Sequence, residues 1–181
     1  MSEHDDPHAV DLELPIAARI AAASERHGED TVVERAISLL EGNNEGKEFL
    51  LVVGGEHAQG ILDGAPVLYW PELWGTRALL HAWNDSAADA VRTALSNQAW
   101  RVREMATRVV ATRRVDAHDE LVALLQDETP RVRASAARAL GTVGSLDDVD
   151  VISALVKDED IEVRRAAQQA VAAIRKRSPQ Q

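Results

Sequence analysis

The chain of 181 residues, with 45% apolar and 28% charged residues, has the length and composition of one globular domain or of a small domain with an appendage. It contains no cysteine, which excludes disulfide frameworks, thiolate zinc sites and cysteine nucleophiles. The net charge of −10 is uneven, because residues 1–75 carry 15 acidic against 4 basic residues and residues 76–181 carry a net charge of +1.

The N-terminal part of the chain predicts an acidic tail followed by helices. Residues 1–13 lack the basic start and apolar run of a secretory signal, so we expect a mobile tail on a cytoplasmic protein. Residues 14–55 predict an N-terminal helical segment, since 14–28 and 29–42 both show helical spacing. The apolar stretch 49–55 fits a buried strand or a short helix. No apolar run approaches the roughly 20 residues of a membrane span.

The C-terminal part contains an internal repeat. The segment WRVREMATRVV from Trp100 recurs as PRVRASAARAL from Pro130 and IEVRRAAQQAV from Ile161, at spacings of 30 and 31 residues. A second periodic segment precedes each copy, so each predicts a pair of helices. The predicted stack covers residues 56–176, with a degenerate copy at 56–83, regular copies at 86–112, 116–142 and 146–176, and a tail at 177–181.

The turns of the middle copy carry the residues that start and stop helices. Asp127 and Thr129 are candidate caps, and Pro130 suits the first helical turn because its missing N–H would have no partner there. Gly141 and Gly144 predict the end of the second helix and a tight link to the next copy.

These copies resemble the HEAT-repeat family, in particular the short-period HEAT-like repeats with a V-R-x-x-A-x-x-A-L-G signature. The matching residues are Val132-Arg133, Ala136, Ala139-Leu140-Gly141, Asp158, Val163-Arg164 and Ala167. The resemblance covers about residues 86–176. It implies an all-α fold, a right-handed α-α superhelix (a HEAT-like solenoid) preceded by irregular N-terminal helices. Such stacks serve many roles, so the motif indicates the fold and leaves the function open.

An Asp or Asn stands six residues before each repeated Arg, as in the family pattern. We interpret these residues as a structural ladder in which each Arg bridges the turns of neighbouring repeats. The ladder residues are Asn97, Arg103, Asp127, Arg133, Asp158 and Arg164.

The outward side of the second helices is the candidate binding surface. The resemblance implies that this line forms the concave face, where we expect Ala134 and Ser135 to point outward beside arginines. The candidate partner-binding residues are Trp100, Arg101, Arg108, Arg131, Arg138 and Arg165. A solvated face, or one covered by the acidic N-terminal half, is the structural alternative. Trp70, Trp74, Trp83 and Trp100, with Tyr69, are interpreted as packing between the irregular first half and the repeats.

We therefore expect a non-enzymatic scaffold that binds a protein or an acidic peptide segment on the concave face. The alternative is a HEAT-scaffold protein that binds nucleic acid or modifies bases, in the manner of glycosylases, although the acidic charge disfavours nucleic acid. The histidines are scattered and no acid–base pair is evident, so we expect no catalytic residues, no metal and no cofactor. A monomer or a weak homo-oligomer away from membranes is expected.

Overall fold

The computed structural model describes residues 10–64, 66 and 70–178, apart from the side chain of Trp70, and every regular element among them is helical. The stretch 49–55, for which a strand and a helix were both open, lies in a helix that ends at Gly54. The predicted all-α class is confirmed. The α-helices are α1 (Ile16–His27), α2 (Glu29–Leu40), α3 (Gly46–Gly54), α4 (Glu56–Leu62), α5 (Trp70–Ala78), α6 (Ala88–Ala94), α7 (Trp100–Arg113), α8 (His118–Leu124), α9 (Pro130–Val143), α10 (Val149–Ser153) and α11 (Ile161–Arg177).

Two compact units divide the chain between Ala87 and Ala88, and the first unit contains α1 to α5. Within it α5 packs mainly against α2, whereas α4 packs against α3. The α2–α5 contact is close at Gly75, where a Cβ atom would lie 2.5 Å from the carbonyl oxygen of Ala36. Only glycine fits this approach. The degenerate copy expected at residues 56–83 stays a prediction.

The second unit consists of three helical hairpins, in which α6 packs on α7, α8 on α9 and α10 on α11. The second helices of the hairpins also pack side by side, α7 on α9 and α9 on α11. Val102, Val132 and Val163 occupy the same place in the three copies, and all are fully buried. Burying equivalent apolar residues between successive hairpins gives the unit one continuous core.

Gly141 has a different role from the predicted one, because α9 continues past it to Val143 and Gly144 is the residue at the C-cap. A Cβ atom on Gly141 would lie 2.8 Å from Cα of Ala170 in α11. The glycine lets two second helices approach at backbone distance. Helix α9 is instead terminated at Gly144, whose N–H donates to the carbonyl oxygen of Leu140 at 2.7 Å.

The ends of the helices follow the predicted turn chemistry in part. Pro130 occupies the first position of α9, but the Thr129 side chain makes no capping hydrogen bond. Asp127 accepts the Thr129 N–H instead, at 2.8 Å. The predicted C-terminal tail began at Arg177, yet α11 includes this residue and its guanidinium donates to the carbonyl oxygens of Gly141 and Gly144. Of the two predicted tails, residues 1–9 and 179–181 lie outside the described residues.

Candidate functional site

The arginines selected from the sequence lie on one side of the second unit. We call this surface the second-helix face and define it by the exposed side of α7, α9 and α11. Its five arginines are all exposed, and Trp100, at the start of α7, is half-buried. Those arginines are Arg101, Arg108, Arg131, Arg138 and Arg165.

Two glutamates stand among these arginines, and the sequence analysis did not pair them. Glu104 of α7 lies 3.5 Å from Nε of Arg131 on α9. Glu162 of α11 lies 3.9 Å from Nη2 of Arg138 and 2.6 Å from Nη1 of Arg165. The charges of these five arginines and two glutamates sum to +3. The face is therefore positive overall but carries acceptors as well as donors.

Ala134 and Ser135 do not point outward as expected, because both are buried. Helix α9 packs against α7 on one side and α11 on the other, so a wide arc of its circumference is covered. The Ser135 hydroxyl lies 2.5 Å from that of Thr107 on α7, a buried pair that joins the two helices. The part of α9 that is exposed on the second-helix face is therefore narrower than a helical-wheel projection of α9 alone would give.

A groove of about 320 Å³ runs between α7 and α9 on this face. Arg108 stands on its α7 side and Arg138 on its α9 side, while Thr107 and Ser135 lie between them. Among the described residues, no carboxylate lies within 4 Å of the Arg108 guanidinium. The groove therefore presents guanidinium donors on both of its walls, and Glu104 also lines it on the α7 side.

Trp100 lies beside two of the arginines. The guanidinium carbon of Arg101 stands 4.3 Å from the centre of the Trp100 ring, and that of Arg131 stands 5.5 Å from it. Both distances are within the range of a cation–π interaction. These contacts hold an aromatic ring and two cations together at the start of α7.

The ladder arginines make regular contacts inside the second unit. Arg103 donates from Nε and Nη2 to the two carboxylate oxygens of Asp127, at 2.8 and 3.0 Å, and from Nη1 to the carbonyl oxygen of Asn97 at 2.8 Å. Arg133 repeats this arrangement one hairpin later, with both oxygens of Asp158 and the carbonyl oxygen of Asp127. Each of these two arginines thus links its own turn to the turn of the next hairpin.

The third ladder arginine bonds within its own hairpin. Arg164 donates from Nη1 to the carbonyl oxygens of Asp158 and Glu159, which belong to its own turn. The turn side chains also bind their own loops, since Asn97, Asp127 and Asp158 each accept the backbone N–H two residues later. These contacts lie within the second unit, so all six ladder residues take part in hydrogen bonds within or between its hairpins.

The ladder carboxylates have altered acidity. The hydrogen bonds from Arg133 are the main cause that lowers the pKa of Asp158. At Asp127, burial acts to raise the pKa, but the hydrogen bonds from Arg103 and from the Thr129 backbone outweigh it and the pKa is lowered. Both carboxyl groups are therefore held in their charged form.

The other tryptophans are distributed differently from Trp100. Trp74 is buried within the first unit, where its ring lies 2.8 Å from the position of a Cβ atom built on Gly54. Trp83 is half-buried, and its backbone N–H donates to Oε1 of Glu29 at 3.1 Å. The side chain of Trp70 and the whole of Tyr69 lie outside the described residues. The interpretation of these aromatics as a packing cluster stays a prediction.

In the part of the chain that the structure describes, no three histidine, aspartate or glutamate side chains are grouped as metal ligands. None of the helices in those ranges combines the length and the hydropathy that crossing a bilayer requires.

Comparison with known proteins identifies the repeats. The family described as HEAT repeats matches residues 88–172. An engineered protein whose crystal structure was determined by the Northeast Structural Genomics Consortium is 21% identical, with a TM-score of 0.51 over 91% of this chain and 86% of that chain. At this identity the likeness concerns the fold alone. No curated protein sequence matches the chain.

Proposed function

Because residues 88–172 are HEAT repeats, we propose that they bind an acidic peptide segment of a protein partner along the second-helix face. The observation that carries the proposal is the groove between α7 and α9, with Arg108 and Arg138 on its two walls. Planar guanidinium groups bind carboxylates with two parallel hydrogen bonds, so paired arginines suit aspartate and glutamate side chains.

The mixed character of the face favours a peptide over a polyphosphate. Glu104 and Glu162 pair with Arg131, Arg138 and Arg165 and would repel a continuous line of phosphates. A peptide has amide groups as well as carboxylates and can use both signs of charge. Its apolar side chains would contact Trp100, since a tryptophan beside arginines is a frequent combination at the centre of protein interfaces.

The test compares two charge-reversal variants that change the net charge equally. The first, Arg108→Glu with Arg138→Glu, alters both walls of the groove. The control, Lys47→Glu with Lys157→Glu, alters two exposed cations that lie outside α7, α9 and α11 and do not line the groove. The probes are short fluorescent peptides rich in glutamate and aromatic residues, the same peptides with glutamine for every glutamate, and a duplex DNA.

We expect the groove variant to weaken binding of the acidic peptides at least about tenfold, because it replaces two charge-assisted contacts by repulsion. The control variant should bind as the wild type does, and the glutamine peptides should bind weakly to all three proteins. If both variants lost affinity for the acidic peptides equally, net charge alone would explain the loss and a site in the groove would be refuted. Salt-dependent binding of the DNA in preference to every peptide would instead favour the nucleic-acid alternative.

A further inference from the structure

A second cavity lies within the first unit, among α2, α3, α4 and α5, and has no part in the second-helix face. Its volume is about 270 Å³. The apolar part of its wall comes from side chains of all four helices: Leu39, Leu50, Ile61 and Trp74. For comparison, a cavity of about 150 Å³ binds benzene, and ligand pockets in proteins begin at about 300 Å³. The space therefore suits a molecule of one ring and a short chain.

Glu72, which lines this cavity, has a carboxylate oxygen with no partner among the described residues. Oε2 of Glu72 is buried and makes no hydrogen bond to any described residue. No arginine, lysine or histidine of the described ranges lies within 4 Å of the Glu72 carboxylate. Arg35, a cation of α2, is already engaged, because it donates to the side chain and carbonyl oxygen of Glu45. Removing a carboxylate oxygen from water without a donor costs free energy that the protein recovers only by supplying one.

The polar residues next to Glu72 do not supply that donor. Asn44 also lines the cavity. Its side-chain oxygen accepts the N–H of Gly46 at 2.9 Å, a hydrogen bond within the loop. Gly42 is in the left-handed region, at φ +86°, and presents no side chain. The cavity thus combines an apolar wall with three polar side chains, Asn43, Asn44 and Glu72, of which Glu72 alone is acidic.

We propose that this cavity binds a small organic amine, with the ammonium group donating to the Glu72 carboxylate and the apolar body lying against Leu39, Leu50 and Trp74. An ammonium group provides both a hydrogen bond to this carboxylate and the opposite charge, whereas a hydroxyl provides only the first. The indole ring of Trp74 adds a surface on which a cation or an aromatic ring packs favourably.

The experiment uses the full-length chain and calorimetric titration at neutral pH. The probes are phenethylamine, benzylamine and hexylamine, each paired with the alcohol that carries a hydroxyl in place of the amine. We expect the amines to bind at least about tenfold more tightly than their alcohols, because the alcohols leave the carboxylate charge uncompensated. Failure of all three amines to bind, or equal binding of amines and alcohols, would overturn the proposal.

Two variants locate the interaction. Glu72→Gln keeps the shape of the side chain and removes its charge, so amine affinity should fall at least about tenfold while alcohol affinity is unchanged. Glu41→Gln removes the same charge from an exposed residue beside Gly42 that does not line the cavity, and it should bind like the wild type. Equal amine affinity in Glu72→Gln and the wild type would overturn the proposal.

The stability of the ligand-free protein separates a binding role for Glu72 from a structural one. The Glu72 side chain is half-buried with one shielded, unpaired oxygen, and a neutral amide lowers the cost of shielding it, so Glu72→Gln should be at least as resistant to urea as the wild type. Phenethylamine should then raise the urea midpoint of the wild type and leave that of Glu72→Gln unchanged. A Glu72→Gln protein that unfolds more easily than the wild type, without any ligand, would show that the carboxylate serves the fold.

Discussion

Replacing Arg133 by methionine tests whether the ladder stabilises the repeats. The guanidinium of Arg133 makes two bonds to Asp158, at 2.8 and 2.9 Å, and one to the carbonyl oxygen of Asp127 at 2.8 Å. Methionine retains the apolar stem of the side chain and removes all three donors. The substitution therefore separates the polar contacts of Arg133, to its own turn and to the third hairpin, from the packing of the helix.

The expected loss follows from the burial of the pair. The side chains of Arg133 and Asp158 are only 11% and 9% exposed, so water replaces the lost contacts poorly. Removing one partner from a buried charge pair costs about 3–5 kcal/mol. Asp158 keeps a hydrogen bond from the Asp160 N–H, which reduces its penalty. We expect Arg133→Met to lower the free energy of unfolding by about 3 kcal/mol.

Arg131→Met is the matched control, since the same substitution falls two residues earlier on the same helix. Arg131 is 71% exposed and its one ion pair, with Glu104, is 3.5 Å long, so its loss should cost less than about 1 kcal/mol. Equilibrium urea unfolding followed by circular dichroism measures both variants. If the two agree within about 0.5 kcal/mol, the reasoning from burial is refuted.

Acidification provides a second measurement on the same pair. The bonds from Arg133 lower the pKa of Asp158 in the folded protein, whereas the unfolded carboxyl titrates near its ordinary value of about 3.9. The stability from this charge is therefore fully present above about pH 4 and is lost as the pH falls through the lower, folded pKa. We expect the stability gap between wild type and Arg133→Met to narrow below pH 4, and a constant gap would contradict the assigned cause.

Two further predictions concern a close helix contact and a histidine. Gly141→Ala should destabilise the protein by about 1–3 kcal/mol in urea unfolding, because its Cβ would lie 2.8 Å from backbone of α11. Gly60→Ala, in an open position of α4, should be neutral or stabilising, and equal effects of the two would argue against the contact. The hydrogen bond from His118 to Asp148, at 2.7 Å, raises the pKa of His118, so its stabilisation is present below about pH 6.5 and is lost as the pH rises through the folded pKa. His118→Gln should accordingly lower the urea midpoint at pH 5.5 and hardly at all at pH 9, and a deficit that does not vary with pH would contradict this assignment.

The repeat was accessible from the sequence because its determinants are local and periodic. The recurrence of Val102, Val132 and Val163 marks the buried stripe of three second helices, and all three are fully buried. The six-residue spacing from Asp127 to Arg133 corresponds to an arginine that bonds to the turn of its own hairpin. Such relations lie within one hairpin, where the helical period alone determines which residues are neighbours.

The candidate sites depend on contacts between different helices, which the helical period of one helix does not reveal. Ser135 was expected outside and lies inside, because its environment depends on how closely α7 approaches α9. The pairing of Glu104 with Arg131 crosses between helices, and so does the groove with Arg108 and Arg138 on its walls. The sequence around Glu72 does not single it out, because an unpaired oxygen is recognised only when its neighbours in space are known.

The amino-acid sequence by itself determined the helical class, the three regular hairpins of residues 88–172 and the stripe of arginines on their second helices. Periodic burial and turn residues act over a few positions of the chain, so these features need no knowledge of distant neighbours. Three features are visible only in the tertiary structure. They are the pairing of particular arginines, the close contact of Gly141 with α11, and the unpaired oxygen of Glu72 beside a cavity of the first unit. Each of these depends on distances between helices that are far apart in sequence, where packing and desolvation rather than local propensity determine the outcome.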